Sequence, residues 1–592
     1  MKSLFSYHLI LYNISMTTHK YFNEYFERNQ LFSTFDYLEL QLDKDDPVYT
    51  LIKILGELDY SELLSMYKDK GRKAFNPIMM FGIITYANML GIRSVDEMVS
   101  RCERDLGFIT IARGLKPKRD AFYNFINNKL NALIIDDLHY QLLSIFKSKG
   151  YISLEELFID GTKIEANANR YTFVWRGTIN YHLINLLSNI SSLMDDYNTF
   201  ITDNNYKYKY SLLNEKMFVI KGSDKVKYII NENRKRKKKG IKKLSNNEVL
   251  EIGNVGPETF TRILDNLLTI IKNENIQFSS TKGVKKSDIQ KLYETFYRYG
   301  NRLLKYKENY ETMGKERNSY SKTDIDATFM RMKDDHMLNG QLKPAYNLQY
   351  SIENYFIVDV YVSNDRTDYN TLIPVLKKHD LMTNTSLLSI TADSGYCSEK
   401  NLSYCKVNKI KPFIKLQSHE TQKTRKYKNN IGKHFNMKGG IVDGEFQYTC
   451  HNNKILKYVE TNHKYRNGFK QTFKTYRCDS CDNCPLKSQC FYNYNEKTHK
   501  DRNKQVIVNH NWEDLKNETN TNIHSEEGIF KRQIRSIQTE GTFGDMKQND
   551  DFRRVNHRSF DKVYKEFALY AIGRNINKYH RFEQGNLVEY VN

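Results

Sequence analysis

Three acidic residues stand where phosphoryl-transfer chemistry would need them. The apolar run Leu157-Phe158-Ile159 stops at Asp160-Gly161, the pattern of a buried strand that delivers a carboxylate to the rim of a sheet, where open α/β sheets hold ligands. Leu387-Leu388-Ser389-Ile390-Thr391-Ala392 ends at Asp393 in the same way. Glu540 follows inside the helix-like stretch Ile537 to Lys547. A single Asp after a strand is more often a turn former or a helix cap. Two of them with a helical glutamate, in this order, meet the needs of a two-metal site. Mg²⁺ takes carboxylate and water oxygens, and two ions roughly 3.5–4 Å apart activate the attacking oxygen, relieve charge on the phosphate and stabilise the leaving oxygen. On this reading Asp160 bridges both ions, Asp393 holds one and Glu540 the other. The competing acids Asp324, Asp326, Asp334 and Asp335 (beside His336), with Asp365 and Asp368 further on, read as caps or surface.

Three blocks carry a resemblance: Asp160-Gly161-Thr162-Lys163-Ile164-Glu165-Ala166-Asn167-Ala168-Asn169, Ala392-Asp393-Ser394-Gly395-Tyr396, and Glu540-Gly541-Thr542-Phe543-Gly544-Asp545-Met546-Lys547. They resemble the catalytic blocks of bacterial insertion-sequence transposases of the DDE type, in the insertion-sequence-four-like superfamily, and the resemblance extends from about Pro47 to about Asn577. It implies an enzyme that uses Mg²⁺ or Mn²⁺ to nick the ends of its own element and joins the freed 3′-OH to target DNA. In-line attack by water comes first, then attack by that hydroxyl. It further implies double-stranded DNA as partner, at least a homodimer when active, and a cytoplasmic, nucleoid-associated location. The family pattern places a Tyr and an Arg before the Glu. Here Arg535 lies five residues before Glu540 where four is usual, and Phe530 or nothing stands for the tyrosine. Lys547, seven residues after Glu540, lies about two helical turns on and nearly on the same face, positioned to meet a phosphate or an intrahelical acid. Arg553 and Arg554 form a candidate phosphate clamp.

Composition is compatible with a polyanionic partner. Lysine and arginine number 91 against 70 acids, net +21, and aromatics make up 13% of the 592 residues; a basic, aromatic-rich chain points toward nucleic acid, although the excess of Lys, Asn, Ile and Tyr also fits AT-rich coding. The length suggests three or four structural units. No apolar run reaches the eighteen or so residues of a membrane span, and the opening Leu4 to Tyr12 lacks a signal-peptide cleavage pattern. Met16 is an alternative start.

The elements that must position the three acids follow from periodicity. After a poorly defined leader (1–46), residues 47–150 read as short helices: Asn76-Pro77 supplies a cap and first-turn proline, Ile78, Phe81, Ile84, Tyr86 and Leu90 an apolar face, and Gly91 the stop. Ser94 and Glu97 form a capping box, and Asp120 opens a third helix. With the basic corner Lys116, Lys118 and Arg119 this suits a helix-turn-helix-like DNA module or a helical domain that only packs on its neighbour; the resemblance favours binding of transposon ends. The expected fold class is α/β: an RNase H-like catalytic core with a mixed five-stranded sheet (151–180, 321–416 and 526–580). Its hairpin is expected at Tyr346–Ser351 and Tyr355–Val362 around Glu353-Asn354, then a helix from Thr367 to Lys378, the Asp393 strand, a helix from Ser398 and a strand over Lys411–Leu416. Residues 181–320 read as a helical basic insertion whose run Arg234 to Lys239, with Lys242-Lys243, lies in solvent or along a phosphate backbone. Residues 417–525 read as a mainly β insertion without a long helix.

That insertion holds Cys478-x2-Cys481-x2-Cys484-x5-Cys490, a metal signal. Four thiolates suit structural Zn²⁺; an iron–sulfur run is the lesser alternative, since its last gap is three rather than five. Cys450 or His451 are alternative ligands. Cys397 reads as a small buried residue. Three rival functions stay open: an RNase H-like nuclease without strand transfer, a DNA-binding relic, and an RNA-associated protein.

Overall fold

The computed structural model describes residues 42–67, 74–206, 257–279, 284–314, 317–332, 340–442, 444–466 and 468–585. They fall into two compact units, one made of the chain up to 167 together with 346 onward, the other of 168–345. The leader before residue 42, Asp334, Asp335 and His336, and the basic run Arg234–Lys239 with Lys242-Lys243 lie outside the described residues.

In the first unit, helix α1 (Pro77–Met89) starts as its sequence dictates: the Asn76 side chain accepts from Ile78 N at 2.9 Å and Met79 N at 3.3 Å. It ends at Gly91, whose φ of +71° suits a residue without Cβ. All thirteen residues of α1 are buried, and Leu90 just past the end is exposed. The helix is central because α7 (Phe560–Glu583) lies directly on it; a Cβ added to Gly573 would stand 2.6 Å from Asn88 Cβ and 2.9 Å from Met89 N. Ser94 caps the helix Val95–Arg104 through Glu97 N, and the third helix begins at Arg119, one residue before the expected Asp120. The N-terminal helices do not enclose a core of their own. One apolar core runs from Val48, Leu51 and Phe81 through Leu157, Ile159 and Val358 of the sheet to Ile572 and Ile576 of α7.

Five strands of this unit form a mixed sheet: β1 (Glu156–Glu165), β2 (Leu342–Glu353, from residue 346 on), β3 (Phe356–Ser363), β4 (Ser389–Ala392) and β5 (Lys411–Ile414), ordered β3-β2-β1-β4-β5. β1 and β4 are parallel, as are β4 and β5, whereas β2 and β3 form an antiparallel hairpin. The hairpin turns at Asn354-Tyr355, one residue later than expected, with φ of +45° and +68°, the conformation of a type I′ turn that matches strand twist. Helices α3 (Leu372–Thr383) and α4 (Glu399–Val407) connect β3 to β4 and β4 to β5. β1 does not stop at Asp160, as its apolar pattern suggested; it runs on to Glu165, whose N–H donates to Arg553 O (3.1 Å) and whose carbonyl accepts from Val555 N (3.0 Å).

Residues 417–525 form a five-stranded antiparallel sheet, β6 (Lys438–Val442), β7 (Glu445–Thr449), β8 (Ile455–Arg466), β9 (Phe469–Cys478) and β10 (Gln505–Val508). The expectation of no substantial helix there is corrected by α5 (His510–His524), capped by Asn509 on Trp512 N at 3.0 Å. Its buried stripe is only Leu515, Thr519 and Ile523, too thin an apolar period to stand out. α6 (Glu526–Arg535) follows directly.

The second unit begins and ends outside the expected 181–320. Its helices Arg176–Asp203, Pro257–Asn273 and Asp288–Met313 bury Leu186, Ile190, Tyr197, Ile263 and Phe296 together. Strand Phe173–Trp175 pairs with Ser319–Ser321, and Thr328–Arg331 pairs with Leu342–Ala345.

Helix α2 (Ala132–Ser148) is joined to the first unit's sheet through a buried polar knot. Asp359 and His379 are fully buried 3.0 Å apart, Ser351 and Tyr140 donate to the same carboxylate, and the other ring nitrogen of His379 meets Leu154 O at 3.0 Å. Burial alone would raise the Asp359 pKa, but the His379 charge and these hydrogen bonds hold it below the usual range; burial opposes the His379 charge, yet Asp359 raises its pKa above the ordinary value. Asp359 therefore loses its contribution to stability as pH falls through its lowered pKa, and His379 as pH rises through its raised one. His379→Ala in the full chain should cost about 3–5 kcal/mol by leaving a buried charge unpaired, read from the urea midpoint at pH 7; an unchanged midpoint would show that the pair carries no stability.

Candidate active site

Register brings the two aspartates together. Glu156 pairs with Ser389 and so on through Ile159 with Ala392, so the next positions, Asp160 and Asp393, fall side by side at the end of the parallel ladder. Adjacent strands lie about 4.8 Å apart, which makes the two carboxylates close neighbours. Asp160 accepts from Gly161 N at 2.8 Å through one oxygen, and through the other from Arg535 Nη1 at 3.0 Å and Thr539 Oγ1 at 3.1 Å. Asp393 caps a single 3₁₀ turn, accepting from Gly395 N at 2.8 Å. Burial and then the Asp160 charge, with Asp368 beyond it, raise the Asp393 pKa against the pull of Gly395 N–H and Arg535.

Asp368 corrects its reading as a cap or surface residue. Its Oδ1 accepts from Asn347 Nδ2 at 2.8 Å and Gln349 Nε2 at 2.9 Å, which places it against the same two glycines that follow the aspartates. A Cβ on Gly161 would fall 2.8 Å from Asp368 Oδ1, and one on Gly395 would fall 2.9 Å from Asp393 Oδ1 and 3.3 Å from Asp368 Oδ2. The signal available in the sequence was indirect: Asn347 and Gln349 are alternate residues, hence on one face of the strand, flanked by the apolar Tyr346, Leu348 and Tyr350 of the other.

Helix α6 is pinned across the two aspartate strands. Buried Lys531 reaches Glu156 Oε1 (2.6 Å) at the start of β1 and Ser389 Oγ (2.9 Å) at the start of β4. One turn on, Arg535 reaches Asp160, and Thr539 follows. The helix continues through π turns at Ser536–Glu540 and Asp545–Asn549 with Gly541–Gly544 between them. A π turn closes i→i+5 rather than i→i+4 hydrogen bonds, so it absorbs the extra residue between Arg535 and Glu540. Glu540 itself is exposed and accepts from Ser536 Oγ at 2.8 Å. In this conformation, then, Asp160 and Asp393 meet and the Glu540 side chain does not join them. Among the described residues no three His, Cys, Asp or Glu side chains converge as a metal-ligand set.

Further along, Asp545 pairs with Arg574 and Lys578 of α7, both at 3.1 Å, fixing the Glu540 helix to the core. Lys547 lies in the second π turn, and its carbonyl accepts from Arg553 Nε at 3.0 Å. Arg553 and Arg554 flank the far end of β1, with Arg553 also 3.6 Å from Asp551. Lys116, Lys118 and Arg119 are exposed; Lys118 pairs with Glu103 at 2.6 Å and Arg119 with Asp96 at 3.3 Å.

In the β insertion, Cys450, Cys478, Cys481, Cys484 and Cys490 line one cavity with His451 and Lys504. None is in a disulfide. Lys504 N donates to Cys481 Sγ at 3.2 Å and Asn452 Nδ2 to Cys484 Sγ at 3.5 Å. Burial, then Cys481, pushes the Cys478 thiol up to about 11. Cys397 is buried, its thiol pushed by burial up to about 12, in keeping with a packing residue.

Two stretches of the chain match known families. Residues 36–128 match a "Transposase domain (DUF772)" and residues 449–580 a "Transposase DDE domain", the latter spanning Cys478–Cys490, Glu540, Lys547 and most of α7. Both models describe transposases; the DDE match contains Glu540 but neither Asp160 nor Asp393. No curated protein and no solved structure matches it. Among the described residues no helix is long and apolar enough to cross a membrane.

Because the Asp393 pKa is raised, the fold disfavours its ionised form, and the metal-free protein gains stability from this group as pH falls through the raised value. Asp393→Asn keeps an acceptor for Gly395 N–H and removes one of two adjacent charges. It should melt higher than the parent protein at pH 7 in EDTA by calorimetry; a lower melting temperature would mean that repulsion between the two aspartates is not a cost in this fold.

Proposed function

We propose that the chain is a DDE transposase of the insertion-sequence-four-like superfamily that cuts the ends of its element with two divalent ions and joins the 3′-OH ends to target DNA. The observation that carries the reading is the register of β1 against β4, which sets Asp160 beside Asp393 under the helix that bears Glu540. The strand order β3-β2-β1-β4-β5 with its parallel β1-β4-β5 half supports an RNase H-like core. The donor set fits Mg²⁺ or Mn²⁺: hard carboxylate oxygens, with Arg535 forming an ion pair with Asp160. Asp160, Asp393 and Glu540 would hold the ions, which supply a deprotonated attacking oxygen and charge relief at the phosphate.

The rest falls to the chain itself. Glu540 would leave Ser536 to join the aspartates; its neighbour Thr539 is already bonded to Asp160 through its side chain. Lys547, Arg553 and Arg554 contact backbone phosphates beside the scissile bond and set register without reading bases. Arg535 holds Asp160 oriented. The N-terminal helices, through Lys116, Lys118 and Arg119, bind the element ends, and two copies act on paired ends in the bacterial cytoplasm, at the nucleoid. Cys478, Cys481, Cys484 and Cys490 would hold a structural Zn²⁺, a reading supported by their lining one cavity and by the backbone N–H donated to Cys481.

Asp160→Asn and Asp393→Asn should each lower Mg²⁺-dependent cleavage of end-bearing DNA by about 10³-fold or more while gel-shift binding of the ends stays intact. Normal cutting by either variant eliminates the site. Joining of pre-cut ends to plasmid DNA by the parent protein separates a transposase from a nuclease without strand transfer, and cleavage of neither substrate leaves only a DNA-binding role. For the thiol site, a chelator should open residues 417–525 to limited proteolysis; an unchanged digestion pattern refutes the zinc.

A further inference from the structure

We infer that Asp368 is a fourth acid of this site, a carboxylate fixed near Asp393 that joins Asp160 and Asp393 as a ligand when a cation draws the acids together; the inference rests on the two-ion reading above. It lies in the 3₁₀ turn Asp368–Asn370 that precedes α3, where a cap would be the ordinary role. The side chain does not play it. Thr371 N and Thr371 Oγ1 both donate to the Asp368 backbone carbonyl, at 3.1 and 2.8 Å, whereas among the described residues the carboxylate accepts from the two side-chain amides.

Those amides are themselves immobilised. Gln349 is fully buried and Asn347 nearly so, at 0% and 1% exposure. Gln349 Oε1 accepts from Thr371 Oγ1 at 3.1 Å and from Tyr396 Oη, which fixes its Nε2 toward Asp368 Oδ1 and Asn347 Oδ1. Thr371 and Tyr396 are also fully buried. Two strand amides, one of them braced by Tyr396 and Thr371 from neighbouring turns, thus hold one oxygen of Asp368. The other, Oδ2, is left facing Gly395 and the Asp393 side. This is the arrangement by which outer hydrogen bonds orient a ligating carboxylate, and loss of such a partner typically weakens metal affinity 10- to 100-fold.

Charge points the same way. Among the described residues no Lys, Arg or His forms an ion pair with Asp368 or Asp393; Arg535 is bonded to Asp160. Three carboxylates with one guanidinium leave an excess of negative charge that a divalent cation neutralises. Gly161 and Gly395 permit the approach, since a Cβ at either would crowd this group.

The test is Mn²⁺ binding to the full chain by isothermal titration, without DNA or turnover. Asp368→Asn, isosteric and able to keep both amide bonds, should weaken Mn²⁺ by about tenfold or more while melting in EDTA no lower than the parent. Should it not fold, Asn347→Ala, which keeps the carboxylate and removes one donor, is expected to lose about tenfold as well. Parental Mn²⁺ affinity in the folded variant overturns the role of Asp368 while Asp160→Asn and Asp393→Asn still lose binding. Undiminished binding in those two variants instead brings down the two-ion reading, and this inference with it.

Discussion

Two negative charges held side by side are the constraint around which the first unit is built. The parallel register of β1 and β4 puts Asp160 and Asp393 at neighbouring positions, and like charges at strand spacing repel. Nothing about folding favours that placement. The surrounding structure accommodates it with one guanidinium on Asp160, backbone N–H groups from Gly161 and Gly395, and two glycines that let a third carboxylate come near. Strain of this kind concentrates where a site must bind cations, because the ligand repays what the metal-free fold loses.

The supporting elements act as a frame for that pair. Lys531 ties α6 to the starts of both strands, and Arg535 and Thr539 tie it to the aspartate one to two turns later. Asp545 then locks the same helical stretch to α7, which is packed without a gap against α1. The N-terminal helices thereby share one core with the aspartate sheet. Displacing α1 would be felt along α7 and so at the helix bearing Glu540. The π turn at Ser536–Glu540 sits at the one point where this helix must satisfy both the sheet and the glutamate.

Much of this was legible in sequence because it rests on local rules. The Asn76-Pro77 start, the Ser94 cap, the apolar runs into Asp160 and Asp393 and the β2-β3 hairpin all follow from patterns within a dozen residues. What escaped depends on contacts between distant segments. Asp368 looks like any residue ahead of a helix until Asn347 and Gln349 are seen beneath it. Lys531 looks like a solvated charge until Glu156 and Ser389 are brought to it. α5 escaped because three buried residues along its length give almost no period. Arg535 and Glu540 stand five apart where the resembled family has four, and the π turn between them depends on backbone geometry that residue spacing does not show.

The central claim is that 160, 393 and 540 act as one cation site. Anomalous diffraction from crystals of the full chain with Mn²⁺ and a cleaved end duplex tests it most directly. The account predicts manganese peaks in contact with Asp160 and Asp393, with the Glu540 carboxylate turned away from Ser536 to meet one of them. Manganese absent from those aspartates, or bound there with Glu540 still hydrogen-bonded to Ser536 in the DNA complex, would contradict it.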